Sequence, residues 1–442
     1  MENSPKRQLT LMDCISIIMG IVIGAGIYET TPLIAQNLSG TSSLVALWIL
    51  GGVISIIGAM CYAELATTYP EEGGDYVYLC KAYGQTTGFL FAWTEFWLIR
   101  PANIGALAYI FARYAAEIVP PGLGRYDFMT FASASVIILT IANVLGVSSG
   151  KWTQNILTVV KVLGLMLIIL VGIIWIVPAG EMTFTREMPV EPDFYLAMIL
   201  MLFTYGGWSN LAYVAAEIRK PEKNILHALV IGTGLVTVIY ILVNLAFINA
   251  LGYMGVAGST SVAADVLQIK LGVWGGVIIS LVICITCLGN INGMIFTGAR
   301  IYYAVGVTDR FYGWLGEWSS HHDAPLRALV LQALVTLLFI GGMGLGEDSF
   351  QRLVVFSAPL HWFFLLLVSI SLFVLRSKDK TVPRTYKVQL YPLIPAIFCL
   401  TTLFMLYASL SYAWAQRQTE IYWIIPVLIA GFLLSNRKRK VP

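Results

Sequence analysis

Charge is scarce in this sequence. Only 12% of its 442 residues are Asp, Glu, Lys or Arg, while 58% are hydrophobic; an ordinary soluble domain is roughly a quarter charged. With a mean hydropathy of +0.79, the chain has too little polar surface to cover a water-soluble fold of this length. Histidine is scarcer still. His227, His321, His322 and His361 offer neither metal-ligand spacing nor a nucleophile and base, so no metal, no cofactor and no enzyme is expected. The six cysteines, Cys14, Cys61, Cys80, Cys284, Cys287 and Cys399, fall inside apolar runs or on the side read below as cytoplasmic, where disulfides do not persist. Cys284 and Cys287 make a CxxC without a second ligand pair, so they read as small packing residues. Rows of like charge, which would line an ion channel, are also missing.

Long apolar runs fill the chain instead. Twelve are counted, at approximately 10–36, 43–68, 87–117, 127–147, 152–178, 194–217, 225–251, 272–304, 326–345, 351–375, 389–414 and 421–435. Windows of about 20 apolar residues recur from end to end, and at about 1.5 Å per residue such a window crosses a hydrocarbon layer about 30 Å thick. In lipid every backbone N–H and C=O must be satisfied within its own segment, so the runs are helices. The expected fold is therefore an all-α polytopic membrane protein with twelve transmembrane helices in a single unit, 1–442. The first run follows "MENSPKRQLT", is too long for a signal-peptide core and lacks a clear cleavage site. About 19 Lys and Arg lie on the side shared by the N-terminus, "EIRKPEKN", "VLRSKDKTVPRTYK" and "NRKRK", against about six on the other. That bias places both termini in the cytoplasm of a cell membrane.

Two runs are interrupted by glycine at their centres. The first contains "GIVIGAGIYET" (20–30) and the sixth contains "LFTYGGWSNLAYVAAEI" (202–218), about 180 residues later. The unusually long third and eighth runs share nearly the same offset. Two five-helix units follow, about 10–178 and 194–375, with extra helices at about 389–435. Five is odd, so the second unit enters from the opposite face, and a 5+5 inverted repeat with discontinuous helices one and six is a transporter pattern. The loop "YPEEGGDYVYLCKAYG" (69–84) reads equally as an ordinary loop or a short helix at an inner vestibule, and 257–272 as a surface helix on the outer side.

A helix broken in mid-membrane exposes N–H and C=O groups without intrahelical partners. Each orphan in lipid costs several kcal/mol, so such a break persists where it faces water or a ligand. The N–H groups near Gly24, Ala25, Gly26 and Ile27 suit a carboxylate. The carbonyls of Val22, Phe203 and Gly206 suit an ammonium. Both groups occur on adjacent atoms in α-amino acids. The alternative is close helix packing, for which Gly20 and Gly24 have the right spacing.

These residues carry a resemblance. "GIVIGAGIY", "EFWLIRP" (95–101), "FTYGGWSNLAYVAAEIRKPEKNI" (203–225), "CLGNINGMIFTGAR" (287–300) and "RTYKVQLYPLIP" (384–395) cover nearly the whole chain in order. They resemble the amino acid/polyamine/organocation superfamily, in particular its L-type amino-acid transporter branch and bacterial relatives. The resemblance implies the 5+5 inverted-repeat fold and sodium-independent transport of L-amino acids, commonly by exchange. It places the substrate carboxylate at Ala25 and Gly26, the amine at Val22, Phe203 and Gly206, and an aromatic gate at Phe203, with Thr204 beside it. Ala25 replaces a serine frequent in the family. The animal branch joins a single-pass partner through a cysteine in the loop after helix three; here "EIVPPGLGRYDF" has none, so no disulfide-linked heavy-chain subunit is expected.

Among the remaining polar residues, Lys161 lies about nine residues, roughly 13 Å, into helix five, too deep to snorkel easily. The resemblance gives it the role of a fixed positive charge near the broken first helix; proton exchange is the other reading. Glu95 and Arg100 share helix three and read as a structural ion pair. Glu64 and Glu217 read as gate or scaffold partners of loop cations. Asn290 is read equally as a substrate contact or an interhelical hydrogen bond, and His361 more as a hydrogen-bonded core histidine than as a pocket residue. Ser209 and Trp208 shape the side-chain pocket. With no Asp or Glu expected to face that pocket, neutral substrates are expected.

Overall fold

The computed structural model describes residues 9–71, 73–119, 127–144, 151–174, 192–308, 312–319, 325–343, 349–416 and 422–435. Among them the chain is helical without a strand, and a parallel bridge joins Leu9 to Ile218. The first helix, α1 (Leu11–Val22), opens on a capping box in which Thr10 and Asp13 satisfy each other's backbone N–H. It stops at Val22, and α2 (Gly26–Gln36) resumes at an angle of 48°. Then come α3 (Thr41–Thr68), the short α4 (Asp75–Tyr83), α5 (Gln85–Thr94), α6 (Arg100–Ile118), α7 (Asp127–Val144) and α8 (Lys151–Ile174). After these, α9 (Phe194–Tyr205) leads into a 3₁₀ segment, Trp208–Glu217, before α10 (Pro221–Gly258) and α11 (Val262–Thr308). The chain ends with α12 (Leu326–Met343), α13 (Ser349–Lys378), α14 (Leu393–Ala415) and α15 (Ile424–Ser435).

Seven described helices are long and apolar enough to cross a membrane, or eight with α1 and α2 counted as one bent span. Three shorter apolar helices, Thr158–Ile174, Leu326–Gly342 and Ile424–Ser435, accompany them. This is fewer than the twelve expected, partly because the third run is divided. Between α5 and α6 lies a π turn, Glu95–Ile99, where Arg100 N–H bonds Glu95 C=O. Pro101 lacks the N–H that an α-helix would need there, and the wider turn absorbs that loss. Of the two loop readings, 69–84 contains a short helix, α4, and 257–272 is helical from Val262 to Gly272, whose φ of +61° bends α11.

The distribution of side chains is inverted relative to a soluble protein. Large apolar side chains stand exposed on the outer surfaces of α7 (Ile138, Ile141), α8 (Leu163, Leu170, Ile174), α12 (Leu338) and α14 (Leu400, Leu403). Several charged groups are inside. Glu64, Glu95, Arg100 and Lys161 are all buried, and such burial persists only with partners. Glu64 receives the guanidinium of Arg376 and the backbone N–H of Val388. This fixes the end of α13 to α3 on the face where the chain enters α1, here called the entry face. In the interior α3 packs on α10, α6 on α11 and α13, and α1 on α8 and α10. The two broken helices lie at the centre of that packing.

Candidate functional site

In the first break, Ile23 N–H reaches Met19 C=O at 2.8 Å and ends α1. Gly24 N–H turns back to Val22 C=O at 2.7 Å, and Tyr240 donates its hydroxyl to the same carbonyl at 2.7 Å. Ala25, Gly26 and Ile27 N–H have no hydrogen-bond partner among the described residues. They form the free start of α2, where the helix dipole favours an anion. In the second break, α9 ends at Tyr205, and Gly206 N–H bonds Phe203 C=O at 3.0 Å. Gly207 has φ +106°, and a Cβ there would stand 2.7 Å from Ile21 Cγ2. Only glycine supplies this turn while letting the second broken helix touch the first.

Hydrogen bonds couple the breaks on both sides. The hydroxyls of Thr30 and Thr204 meet at 2.8 Å. On the entry face, Leu9 N–H bonds Glu217 C=O at 3.0 Å and Arg219 N–H bonds Leu9 C=O at 2.9 Å. The start of α1 is thus tied to the end of the 3₁₀ segment. Glu217 serves here through its backbone.

Both breaks open on one cavity of about 330 Å³. Of the residues expected at the site, Val22, Gly24, Gly26, Phe203, Thr204, Gly206, Ser209, Asn290, Glu95 and Arg100 line it. Ala25 and Ile27 do not; both side chains are fully buried, leaving their N–H groups as the relevant atoms. Lys161 is also behind the wall. Its Nζ donates to Gly20 C=O at 2.8 Å and to Asn290 Oδ1 at 2.6 Å. The amide of Asn290 therefore lies between Lys161 and the first break: a Cβ on Gly24 would stand 2.6 Å from Asn290 Nδ2. Asn292 makes the other kind of contact, accepting from Asn143 Nδ2 at 2.7 Å.

Arg100 Nε donates to Glu95 Oε2 at 3.1 Å, and Nη1 donates to Thr297 Oγ1 at 3.1 Å. In an α-helix, residues five apart lie about 140° around the axis from each other. The π turn between them brings the two side chains onto one side.

The expectation that no acidic residue faces the cavity is corrected: Glu95 and Asp75 both line it. Glu95 is neutralised by its ion pair with Arg100. Asp75, at the start of α4 and 8% exposed, accepts from the Tyr213 hydroxyl at 3.2 Å, while its buried Oδ1 has no hydrogen-bond partner among the described residues. Burial raises its pKa to about 7; the hydroxyls of Tyr62 and Tyr213 pull it back and the charge of Glu95 pushes it up. The reading of His361 as a hydrogen-bonded core residue is corrected too. Its ring is exposed to the cavity, packs edge-on against Trp362 and makes no hydrogen bond among the described residues.

The cavity reaches from the breaks past Ile17, Tyr213 and Asp75 toward the entry face. The far side is shut. The Phe203 ring meets Phe350 at 5.8 Å, Glu29 on α2 pairs with Arg113 on α6 at 2.8 Å, and Gln36 Nε2 donates to Ala257 C=O at 2.7 Å.

Asp75, Tyr213 and Tyr240 were missed in the sequence. Asp75 had a signal, the "GGDYVY" stretch opening a loop otherwise read for its glycines and aromatics. Tyr240, 218 positions from the carbonyl it caps, had none. The six cysteines are free thiols. Most of the loop after α6, 120–126, lies outside the described residues.

Residues 9–433 match the sequence signature of the family described as amino acid permease. The large neutral amino acids transporter small subunit 2 of Mus musculus is 31% identical over 421 residues, spanning 92% of this chain and 76% of the relative. The b(0,+)-type amino acid transporter 1 of Mus musculus is 28% identical over 439 residues, spanning 98% and 88%. The cystine/glutamate transporter of Homo sapiens is 28% identical over 411 residues, spanning 92% and 80%.

Proposed function

The chain belongs to the amino acid permease family of multi-pass membrane transporters, and from that membership we propose that it carries neutral L-amino acids, without sodium, by exchange across a cell membrane. The observation that carries this reading is the convergence of two helix breaks on one cavity. Ala25, Gly26 and Ile27 N–H would take the substrate carboxylate, and the carbonyls of Phe203 and Gly206 its ammonium. Val22 C=O joins them only when it is released by Tyr240. Neutral substrates fit the electrostatics, because the Glu95 charge is compensated by Arg100 and burial disfavours the ionised form of Asp75.

Twelve helices, both termini cytoplasmic, and two inverted five-helix repeats within a single unit remain the arrangement we assign. In it the entry face is cytoplasmic, and the structure is an inward-facing state with its external gate closed by Glu29–Arg113 and Phe203–Phe350. Alternating access requires the tied pair of broken helices to rock together while those contacts part. Lys161, holding Gly20 and Asn290 beside the first break, would supply there a fixed positive charge in place of a bound sodium ion. No disulfide-linked partner subunit is assigned, since "EIVPPGLGRYDF" has no cysteine.

Counterflow in proteoliposomes is the test. Internal amino acid should stimulate uptake of labelled external amino acid, with no effect of replacing sodium. Uptake that ignores internal amino acid but follows an inward proton gradient would replace exchange by proton-coupled symport. Binding without flux would make the protein a sensor.

A further inference from the structure

Beside the break in the sixth run, a side pocket of about 40 Å³ leaves the main cavity. It lies between α3, the α9 break, α13 and α14. Its walls are apolar, from Ile54, Leu202, Trp208, Trp362, Leu365 and Phe398. Three hydrogen-bonding side chains interrupt them: Ser55, Ser209 and His361. None of the three has a hydrogen-bond partner among the described residues, although Ser55 is only 2% exposed. Serines buried in a helix commonly donate to the carbonyl one turn back, as Thr67, Thr204 and Thr237 do here. Buried polar groups are nearly always satisfied, and Ser55 is the buried one of the three; Ser209 and His361 open on the same void, so a ligand entering it can supply partners to all three.

We propose that this pocket is a side-chain subsite in which His361, Ser55 and Ser209 select short substrates bearing a hydroxyl or carboxamide. It rests on the reading of the main cavity as an amino-acid site and adds which side chains fit. One water needs about 10–15 Å³ of such space, so the pocket holds about three or four non-hydrogen atoms. That suits the side chains of serine, threonine and asparagine. Seryl hydroxyls and an imidazole each both donate and accept, which matches a hydroxyl or an amide and leaves a methyl group unable to satisfy them. A site whose polar groups are left unpaired rejects the apolar isostere more strongly than an apolar pocket rejects a polar one.

Threonine and valine differ in one atom and test this directly. Uptake of a labelled substrate into proteoliposomes is competed with each, and the ratio of half-inhibitory concentrations is taken within one preparation, so expression level cancels. Wild type should prefer threonine by about tenfold, on the order of one or two hydrogen bonds. The ratio should fall to about one in His361→Leu, drop severalfold in Ser55→Ala, and be largely kept in His361→Gln. Equal competition in the wild type, or a ratio unmoved in both His361→Leu and Ser55→Ala, overturns the subsite. If none of the twenty amino acids is taken up or competes, the transport reading itself falls. A His361→Leu protein that does not fold leaves the decision to Ser55→Ala, whose unchanged ratio would overturn the proposal.

Discussion

Two glycine-to-alanine substitutions should have opposite effects. Gly207 joins the two broken helices at φ +106°, and an alanine there would place its Cβ 2.7 Å from Ile21 Cγ2. The left-handed backbone costs a non-glycine residue about 1–3 kcal/mol, and the overpacking adds about 1–3 kcal/mol. Relief has two routes: the Ile21 side chain rotates toward the cavity, or the second break moves away from the first. Either disturbs the site. Gly234, inside α10, has nothing within 4 Å of where its Cβ would go. Alanine there should gain about 0.5–1 kcal/mol from helix propensity. Thermal melting of the detergent-purified protein, with uptake in liposomes, reads both. Gly207→Ala should melt several degrees lower and lose most uptake, while Gly234→Ala should melt at or above wild type and transport normally. A Gly207→Ala protein as stable and as active as wild type would refute the close approach of the two breaks.

Tyr240→Phe removes a buried donor from Val22 C=O. Melting should show a loss of about 1 kcal/mol, while KM for substrate falls because the carbonyl becomes available to the ammonium; a raised KM would mean that the hydroxyl assists binding. Asp75 has a pKa raised to about 7 from 3.8, so between those values the folded state binds more protons than the unfolded one. Its contribution is therefore most favourable below about pH 4 and is lost as pH rises through about 7. Wild type should melt higher at pH 5.5 than at pH 8, and Asp75→Asn should flatten that difference; an unchanged slope assigns it to other groups.

The helix breaks were legible because backbone chemistry leaves few uses for clustered glycine in a lipid-embedded helix. Gly24, Gly26, Gly206 and Gly207 lie at or beside the two interruptions. The depth of Lys161 announced a buried charge, but its partners, Gly20 C=O and Asn290, depend on how α1, α8 and α11 pack. The Glu95–Arg100 pair was read from proximity alone; the π turn that lets residues five apart meet leaves only Pro101 as its trace. Asp75 was missed because a loop carboxylate is ordinarily solvated, whereas α4 carries this one under Tyr213 to the cavity wall. His361 was misjudged because a histidine in an apolar run is ordinarily satisfied, and the void beside it comes from α3 and α14, far away in sequence.

The central claim is that free main-chain dipoles at the two breaks hold both ends of a zwitterion. Competition of uptake by a transported amino acid, its methyl ester and its deaminated analogue tests it most directly. Each charge-assisted contact is worth about 1.5–3 kcal/mol, so the ester and the deaminated acid should each compete at least about tenfold more weakly than the parent. Equal competition by either derivative would contradict the claim.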